Sequence, residues 1–381
     1  MLDSLEADRA LVANFDAQIF DLEAQISALR LTISELSAAK GPAEQRLKAF
    51  KYPVLTLPNE IITEIFLQYL PPYPDAPSLV GLHSPIHLTH ICGQWREIAL
   101  TTPILWRAVD LTRFGGTPSM EGAIRFAEMR WERSAPYPLS IHAYDYDINH
   151  WFPIFAAAFP HRARWQHLEL NAELTNDADM SLRNALEEPM PLLRTLKLSL
   201  LRLHPPFSEL LTLRNEDVPL LHSVALDNCG IQSLILPWAQ LTSLTLTAAV
   251  HSGRCVPILL QATRLVSLTL DLVFPYLEDD VPENLSVAEL TLPRLERLFF
   301  FKSSDADMDF FELLNTPALR CLTLPESMLG WPSSETTYIG TLKAFMSKCR
   351  STLEELRILS PTIPEHTYRD AFPLIPSIIY S

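Results

Sequence analysis

The stretch that decides the fold of most of this chain is Leu221-His222-Ser223-Val224-Ala225-Leu226-Asp227-Asn228-Cys229-Gly230-Ile231. Apolar residues stand at its first, fourth and sixth positions, and this spacing is typical of a short strand with one face in a core. The pattern occurs eight times after residue 164, beginning at Trp165, Leu193, Leu221, Leu241, Leu265, Leu295, Leu319 and Leu353. Successive units start 20 to 34 residues apart, which leaves room for a return segment between strands. The pattern therefore predicts a parallel sheet with helices behind it.

The repeated unit resembles the leucine-rich repeat. In the unit that begins at Leu221, Cys229 occupies the asparagine or cysteine position of that repeat, and Ile231 occupies the apolar position after it. The resemblance implies an α/β solenoid, a leucine-rich-repeat horseshoe, over residues 111–381. Residues 106–111 and 138–143 fit the strand pattern as well, so we expect the array to begin directly after the preceding domain.

Residues 5 to 36 carry a second periodicity, in which the apolar positions are alternately three and four residues apart and only Asp8 interrupts the pattern. This heptad pattern predicts a coiled-coil helix over residues 1–40, which Gly41-Pro42 should end, and a linker over 41–54. Valine or isoleucine fills one seam position and phenylalanine or leucine the other, a choice that favours two strands in parallel coiled coils. Two interpretations stay open: a homodimer through residues 5–36, and a helix that folds back on its own chain.

Three short motifs follow one another between residues 55 and 110. The first is Leu57-Pro58-Asn59-Glu60-Ile61-Ile62-Thr63-Glu64-Ile65-Phe66, the second is Ile91-Cys92-Gly93-Gln94-Trp95-Arg96-Glu97-Ile98-Ala99, and the third is Pro103-Ile104-Leu105-Trp106. Proline followed two residues later by glutamate is typical of a helix start. In this order and spacing the motifs resemble the F-box of fungal F-box-like proteins, which implies a small all-α F-box unit over residues 55–110.

The F-box resemblance implies that this unit binds the Skp-type adaptor of a cullin ubiquitin ligase, and through it the cullin. Carried over by position, the adaptor contacts would be Leu57, Pro58, Glu60, Ile61, Ile65, Phe66, Cys92, Trp95 and Trp106. For Trp95 and Trp106 the alternative is packing inside the unit, because large aromatic residues near the centre of a motif are usually core residues. The sequence departs from compact F-boxes in the long loop from Pro71 to Ser84 and in Gly93-Gln94.

The residues that alternate with the apolar strand positions should face the other side of the sheet. Most of them are small and polar, but Arg297, Phe299 and Phe301 form an aromatic and basic group of the kind that interface hot spots favour. We therefore predict that these three residues contact an unknown target protein. The alternative is that the apolar C-terminal segment 372–380 folds over them.

Composition argues against several other classes of partner and ligand. The net charge of -15 repels a phosphate backbone and an anionic membrane surface, so neither nucleic acid nor a membrane is expected as a partner. The five cysteines contain no CxxC pair, and the first residues are acidic where a secretory signal would be basic; both features predict a cytoplasmic or nuclear location. His83, His87 and His90 share a helical face, but no carboxylate or paired cysteine completes a site, so we expect no metal and no cofactor.

The sequence contains none of the common phosphate-binding, metalloprotease or serine-hydrolase motifs. It therefore favours a non-catalytic subunit, the substrate-recognition adaptor of a Skp-cullin-F-box ubiquitin ligase, with a repeat surface that binds the target. One alternative is a non-degradative scaffold that binds the Skp-type adaptor without cullin, or does not bind it at all. Another is an enzyme whose site is assembled from distant residues.

Overall fold

The structure, a computed structural model, describes residues 2–49, 53–112, 119–174, 182–202, 211–250, 252–272, 289–301, 308–330, 335–349 and 352–380. Its helices are α1 (Leu2–Ala49), α2 (Asn59–Tyr69), α3 (Pro85–Leu88), α4 (Gly93–Thr101), α5 (Met120–Arg133), α6 (Ile148–Ala156), α7 (182–186), α8 (Asn228–Ser233), α9 (Ser252–Gln261), α10 (Met308–Leu313), α11 (Glu335–Cys349) and α12 (Glu365–Ala371). Short 3-10 helices span Pro53–Thr56, Pro103–Trp106, Phe159–Arg164, Trp238–Gln240 and Glu326–Leu329.

The strands are β1 (Ala108–Asp110), β2 (Leu139–Asp147), β3 (Trp165–Leu174), β4 (Thr195–Arg202), β5 (Leu211–Thr212), β6 (Ser223–Asp227), β7 (Leu234–Ile235), β8 (Ser243–Val250), β9 (Ser267–Leu272), β10 (Leu290–Thr291), β11 (Arg297–Phe300), β12 (Leu314–Asn315), β13 (Cys321–Pro325), β14 (Glu355–Leu359) and β15 (Ser377–Tyr380). Eleven of them form one sheet in the order β1-β2-β3-β4-β6-β8-β9-β11-β13-β14-β15, and the pairs β5-β7 and β10-β12 form two small sheets. The strand pairings are parallel.

The chain divides into two compact units, Met1–Ile62 and Thr63–Ser381. In the first unit, α1 continues through Gly41 and Pro42 to Ala49, so the predicted helix end at Gly41-Pro42 is wrong. Proline inside a helix removes one main-chain hydrogen bond, and this loss did not end the helix here. Gly41 keeps a helical backbone and does not adopt the left-handed conformation of a glycine cap.

In the second unit, the alternation of side chains along each strand determines which face of the large sheet is buried. Each of the eight apolar triplets of the sequence lies on or beside a strand of this sheet. Leu196 in β4 pairs with Leu168 in β3 and with Val224 in β6, and all three side chains are almost fully buried. Residues between these positions are half-buried or exposed, as in the alternating burial of β6 and β14. The predicted parallel α/β sheet is therefore confirmed.

The predicted leucine-rich-repeat horseshoe is wrong. The second unit contains a large 11-stranded parallel sheet with helices, which has β1 and β15 as its two edges and is not a closed barrel. A regular solenoid needs returns of similar size, because its curvature is set by a constant rotation from one repeat to the next. Here the returns differ widely, from the 14 residues of α5 to the 3 residues of the 3-10 helix Trp238–Gln240. The apolar spacing in the sequence predicts the strands, but it carries no information about the helices and turns that connect them.

One helix contributes a buried charge to the second unit. Arg130 in α5 is fully buried, and its guanidinium donates hydrogen bonds to the carbonyls of Ser78, Leu79 and Ala108. Burial lowers the pKa of Arg130 to about 9, and the charge of Asp110 acts in the opposite direction. Because this pKa is above neutral pH, the side chain stays charged and ties the segment before α3 to the edge strand β1.

Across the described residues, no helix is both long enough and apolar enough to cross a membrane.

Candidate functional site

The residues predicted to contact the adaptor begin at the N-terminus of α2. The Pro58 carbonyl accepts hydrogen bonds from the amides of Ile61 and Ile62, both at 3.1 Å, and so starts the helix. Pro58 and Glu60 are exposed, Leu57 is half-buried, and Ile61 keeps 49% of its surface exposed. Glu60 lies in the first turn of α2, where a carboxylate interacts favourably with the helix dipole.

Further along the chain, the predicted contacts divide into a surface residue and a supporting core. Ile65 is 39% exposed, whereas Phe66 is fully buried and packs edge-to-face against Trp95, with 5.0 Å between the ring centroids. Trp106 is also fully buried and donates a hydrogen bond from Nε1 to the Ala99 carbonyl at 2.8 Å. Phe66 and Trp106 therefore support the helices from inside, which is the core role left open for Trp106.

Cys92 and Trp95 lie at the start of α4. The Cys92 side chain caps this helix, because its Sγ accepts a hydrogen bond from the Trp95 amide at 3.5 Å. Both residues are half-buried, so each has some surface available to a partner. Gly93 is the first residue of α4, so it does not interrupt the helix. No atom lies within 4 Å of the place where a Cβ would stand at this position.

Two of the three histidines considered as metal ligands, His83 and His87, stack on a tyrosine in the structure. Tyr69 stacks on His83 and on His87, with centroid distances of 5.2 and 6.3 Å. Its hydroxyl also accepts a hydrogen bond from the His83 amide at 2.9 Å, and this contact closes the long loop after α2. Within the described part of the chain, no group of three potential ligands could hold a metal ion.

The second candidate surface is the face of the large sheet opposite the buried leucines, which we call the open face. Small polar residues cover most of it, and neighbouring strands align them in rows. One such row contains Thr195, Ser223, Ser243 and Ser267, which are partners in the strand register. Exposed ion pairs such as Lys197 with Glu169, at 3.0 Å, add charge at the surface, but each contributes little to stability.

The predicted target residues lie together on this open face. Arg297 and Phe299 are on β11 and Phe301 follows it; Arg297 is exposed and Phe301 keeps 59% of its surface exposed. The rings of Phe299 and Phe301 meet edge-to-face at 5.3 Å. The alternative that residues 372–380 cover them is wrong, because that segment ends in β15, which pairs with β14 at the far edge of the sheet.

A polar cluster at the other end of the open face was not predicted. The Tyr73 hydroxyl donates a hydrogen bond to Oε1 of Gln166 at 2.7 Å, and its ring lies edge-on to His167. The guanidinium of Arg107 stacks over the same ring, 3.7 Å from its centroid. In addition, Ser140 donates to the carbonyl of Pro74 at 2.6 Å. The Pro-rich loop therefore lies on the first strands of the sheet, and no periodic pattern in the sequence indicates it.

Burial favours the uncharged forms of the tyrosine and the two histidines of this cluster. It raises the pKa of Tyr73 to about 12, although the positive charges of Arg107 and Arg194 act in the other direction. It lowers the pKa of His167 to about 4, and the neighbouring His142 and Arg194 add to that decrease. The pKa of His142 is lowered by burial as well, against the charge of Glu169. At neutral pH the uncharged tyrosine and histidines of the cluster form hydrogen bonds beside the positive charge of Arg107.

Ser140 and His142 form a hydroxyl and imidazole pair in this cluster that resembles a nucleophile with its base, since Oγ and Nε2 are 3.3 Å apart. Ser140 is fully buried beneath the loop, and its hydroxyl donates to the Pro74 carbonyl. A nucleophile must be able to reach its substrate and pass its proton to the base. The geometry therefore favours a structural role for this pair.

Comparison with known proteins adds no assignment to these surfaces. No protein-family model matches the chain, and no curated protein matches it either. The resemblance to the F-box thus rests on the motif residues alone.

Proposed function

We propose that this chain is the substrate-recognition adaptor of a Skp-cullin-F-box ubiquitin ligase. The F-box-like segment 55–110 binds the Skp-type adaptor, and the open face of the sheet binds a target protein. No residue of the chain performs chemistry: a partner enzyme transfers ubiquitin to a target that is held at raised effective concentration. Such a subunit acts in the cytoplasm or the nucleus, and we propose the same location here.

The observation that carries this proposal is the exposure of large apolar residues on α2. Ile61 and Ile65 are four residues apart and therefore on the same face of the helix, and they keep 49% and 39% of their surface exposed. Exposed Pro58 precedes them at the helix start. An apolar group that stays in contact with water at the centre of a recognisable motif is typical of a protein interface.

The open face supports the second half of the proposal. Strand β11 of the parallel sheet carries Arg297 and Phe299, and Phe301 follows it directly. Aromatic and arginine side chains contribute most to hot spots in interfaces. The side chains beside Arg297 and Phe299 on the neighbouring strands are short, so a partner can reach the two rings without displacing long side chains. These neighbours are Ser267, Thr269, Cys321 and Thr323.

The adaptor role is tested by pull-down of purified adaptor and cullin with the full chain. We expect both to bind the wild type, and the double variant Leu57→Ala/Pro58→Ala to lose both. The matched control is Pro219→Ala/Leu220→Ala, because this exposed proline and leucine pair precedes β6 on the sheet unit. Both variants should keep the thermal midpoint of the wild type.

The three possible results of this experiment lead to three different conclusions. Loss of binding in the motif variant but not in the control supports the ligase subunit. Recovery of the adaptor without cullin would replace it by a non-degradative scaffold, and recovery of neither would remove the adaptor role altogether.

The target surface is tested separately by proximity labelling in cells, with Phe301→Arg as the variant. We expect Phe301→Arg to lose a set of labelled proteins that the wild type and the control Leu260→Arg retain. Leu260 is a suitable control because it is a similarly exposed apolar residue on α9. An unchanged set for Phe301→Arg would show that the target binds elsewhere.

A further inference from the structure

Helix α1 presents a continuous apolar stripe to solvent along most of its length. The stripe, which we call the seam, has eight residues, each with 47 to 64% of its surface exposed: Val12, Phe15, Ile19, Leu22, Ile26, Leu29, Ile33 and Leu36. Their alternating spacing of three and four residues is that of the a and d positions of a coiled coil. Eight large apolar side chains in one exposed row indicate a binding surface for another helix.

Charged residues of opposite sign stand at the two ends of the seam. Asp8 lies four residues before Val12 and Lys40 lies four residues after Leu36, so both continue the seam spacing. Asp16 and Arg30 lie beside the seam, each four residues after an a position. These four charged residues are exposed along the helix, and Lys40 forms an ion pair with Glu44 of its own helix at 3.0 Å.

We infer that α1 forms an antiparallel coiled coil with α1 of a second copy of this chain. In the alignment that overlaps the seams fully, Val12 faces Leu36 and Leu22 faces Ile26. The same alignment brings Asp8 opposite Lys40 at both ends of the rod. Next to the seam it brings Asp16 opposite Arg30, again twice.

A parallel pair of the same helices has no such complementarity. Identical residues would face each other, so Asp8 would meet Asp8 and Lys40 would meet Lys40 within the seam. The flanking charges would meet only uncharged residues, because Asp16 would lie opposite Leu11 and Arg30 opposite Gln25. Flanking charges set the orientation of coiled coils, and facing like charges exclude the unwanted pairing.

The antiparallel pair has one unfavourable contact. Glu23 lies beside the seam, midway between Asp16 and Arg30. In the antiparallel pair it faces Glu23 of the second copy, and this contact occurs once. Four attractive contacts outweigh this one repulsion, whereas the parallel pair has two repulsions and no attraction. The second copy is therefore the occupant that the charges of α1 favour, and the antiparallel arrangement is the orientation they favour.

Orientation determines where the two chains leave the coiled coil. With a rise of about 1.5 Å per residue, the ends of the two α1 helices at Ala49 are roughly 75 Å apart in the antiparallel pair. In a parallel pair they would be about 10 Å apart, the distance between packed helices. The two arrangements are thus distinguishable by any method that measures proximity along α1.

The first experiment measures the mass of the purified full chain by light scattering. We expect a dimer of the 43.1 kDa chain, which Ile19→Asp converts to a monomer. Phe20→Asp is the matched control, because Phe20 is the adjacent residue, is 76% exposed and lies outside the seam, so this variant should remain a dimer. A wild-type chain that is monomeric at every concentration would overturn the proposal, and so would a dimer that Ile19→Asp leaves intact.

The second experiment tests the orientation by charge reversal. We expect Asp8→Lys and Lys40→Asp each to weaken dimerisation on the order of 10-fold or more, because each variant creates two repulsive contacts. The double variant Asp8→Lys/Lys40→Asp should return to within about 3-fold of the wild type, since it restores both attractions. Single variants that bind as tightly as the wild type would indicate a parallel pair and overturn the assignment.

The third experiment uses disulfide trapping with Val12→Cys and Leu36→Cys, and the parent chain measures the background from its own cysteines. We expect a rapid cross-link only when the two variants are mixed and allowed to exchange subunits. A cross-link formed by each variant alone, and not by the mixture, would establish the parallel arrangement instead.

Discussion

Replacement of the buried Arg130 by methionine should destabilise the sheet unit by about 2 to 4 kcal/mol. Burying an arginine is unfavourable, and exchanging a whole buried ion pair for apolar residues is often harmless. Here, however, the partners are main-chain carbonyls, which the substitution leaves in place. Leu79 keeps a hydrogen bond from the Ser84 hydroxyl at 3.0 Å, but the carbonyls of Ser78 and Ala108 lose their bond from the guanidinium. Each buried carbonyl without a partner costs about 1 to 3 kcal/mol.

The assay is thermal unfolding of the full chain with circular dichroism as the signal. At about 2 °C per kcal/mol for a unit of this size, Arg130→Met should lower the midpoint by roughly 4 to 8 °C. The control is Arg125→Met on the same helix, because the Arg125 side chain is 75% exposed and forms only a surface ion pair with Glu121. That variant should change the midpoint by about 1 °C. Equal midpoints for the two variants would refute the argument that the buried guanidinium anchors β1.

Three further outcomes follow from other buried groups. Because the pKa of His167 is lowered to about 4 from its usual 6.5, the folded chain binds fewer protons than the unfolded chain between these values. Stability should therefore fall as the pH drops from about 6.5 to 4, and His167→Gln should reduce the slope of thermal midpoint against pH. Glu326 is buried, and its two carboxylate oxygens accept hydrogen bonds from the Thr362 amide and hydroxyl and from the Tyr368 hydroxyl, the last at 3.0 Å. Glu326→Gln replaces one accepting oxygen by a donor and should cost about 1 to 3 kcal/mol in urea unfolding, whereas Tyr368→Phe removes a single bond and should cost less. Trp106→Phe leaves the Ala99 carbonyl without its indole donor and should lower the thermal midpoint by about 2 to 6 °C, and an unchanged midpoint would contradict the core role of this residue.

The strands of the large sheet could be predicted because burial repeats in the sequence with the period of a strand. Leu168, Leu196 and Val224 are separated by 28 residues each and become direct neighbours in the sheet. The horseshoe that the same residues predicted is wrong, because curvature depends on the return segments between the strands, and these share no pattern. The predicted helix end at Gly41-Pro42 is wrong because local helix propensity is a weak indicator, and the 48-residue helix α1 continues through both residues.

For the candidate surfaces too, local sequence patterns predict which residues are involved, but not the contacts between residues that are far apart in the chain. Alternation along β11 was enough to place Arg297, Phe299 and Phe301 on one face of the sheet. In the F-box-like segment the motif identified the residues, but only the structure separates exposed Ile65 from buried Phe66. The contact between Tyr73 and Gln166 joins residues 93 positions apart, so no local pattern could indicate it.

The order of strands in the large sheet has a consequence for synthesis of the protein. Strands that are neighbours in this sheet start 20 to 34 residues apart in the chain, as β6 and β8 or β13 and β14 do. Contacts between residues that are close along the chain form quickly, because only a short loop must close. Each new strand can therefore pair with the one before it soon after it leaves the ribosome, and the sheet can grow at its C-terminal edge while translation continues.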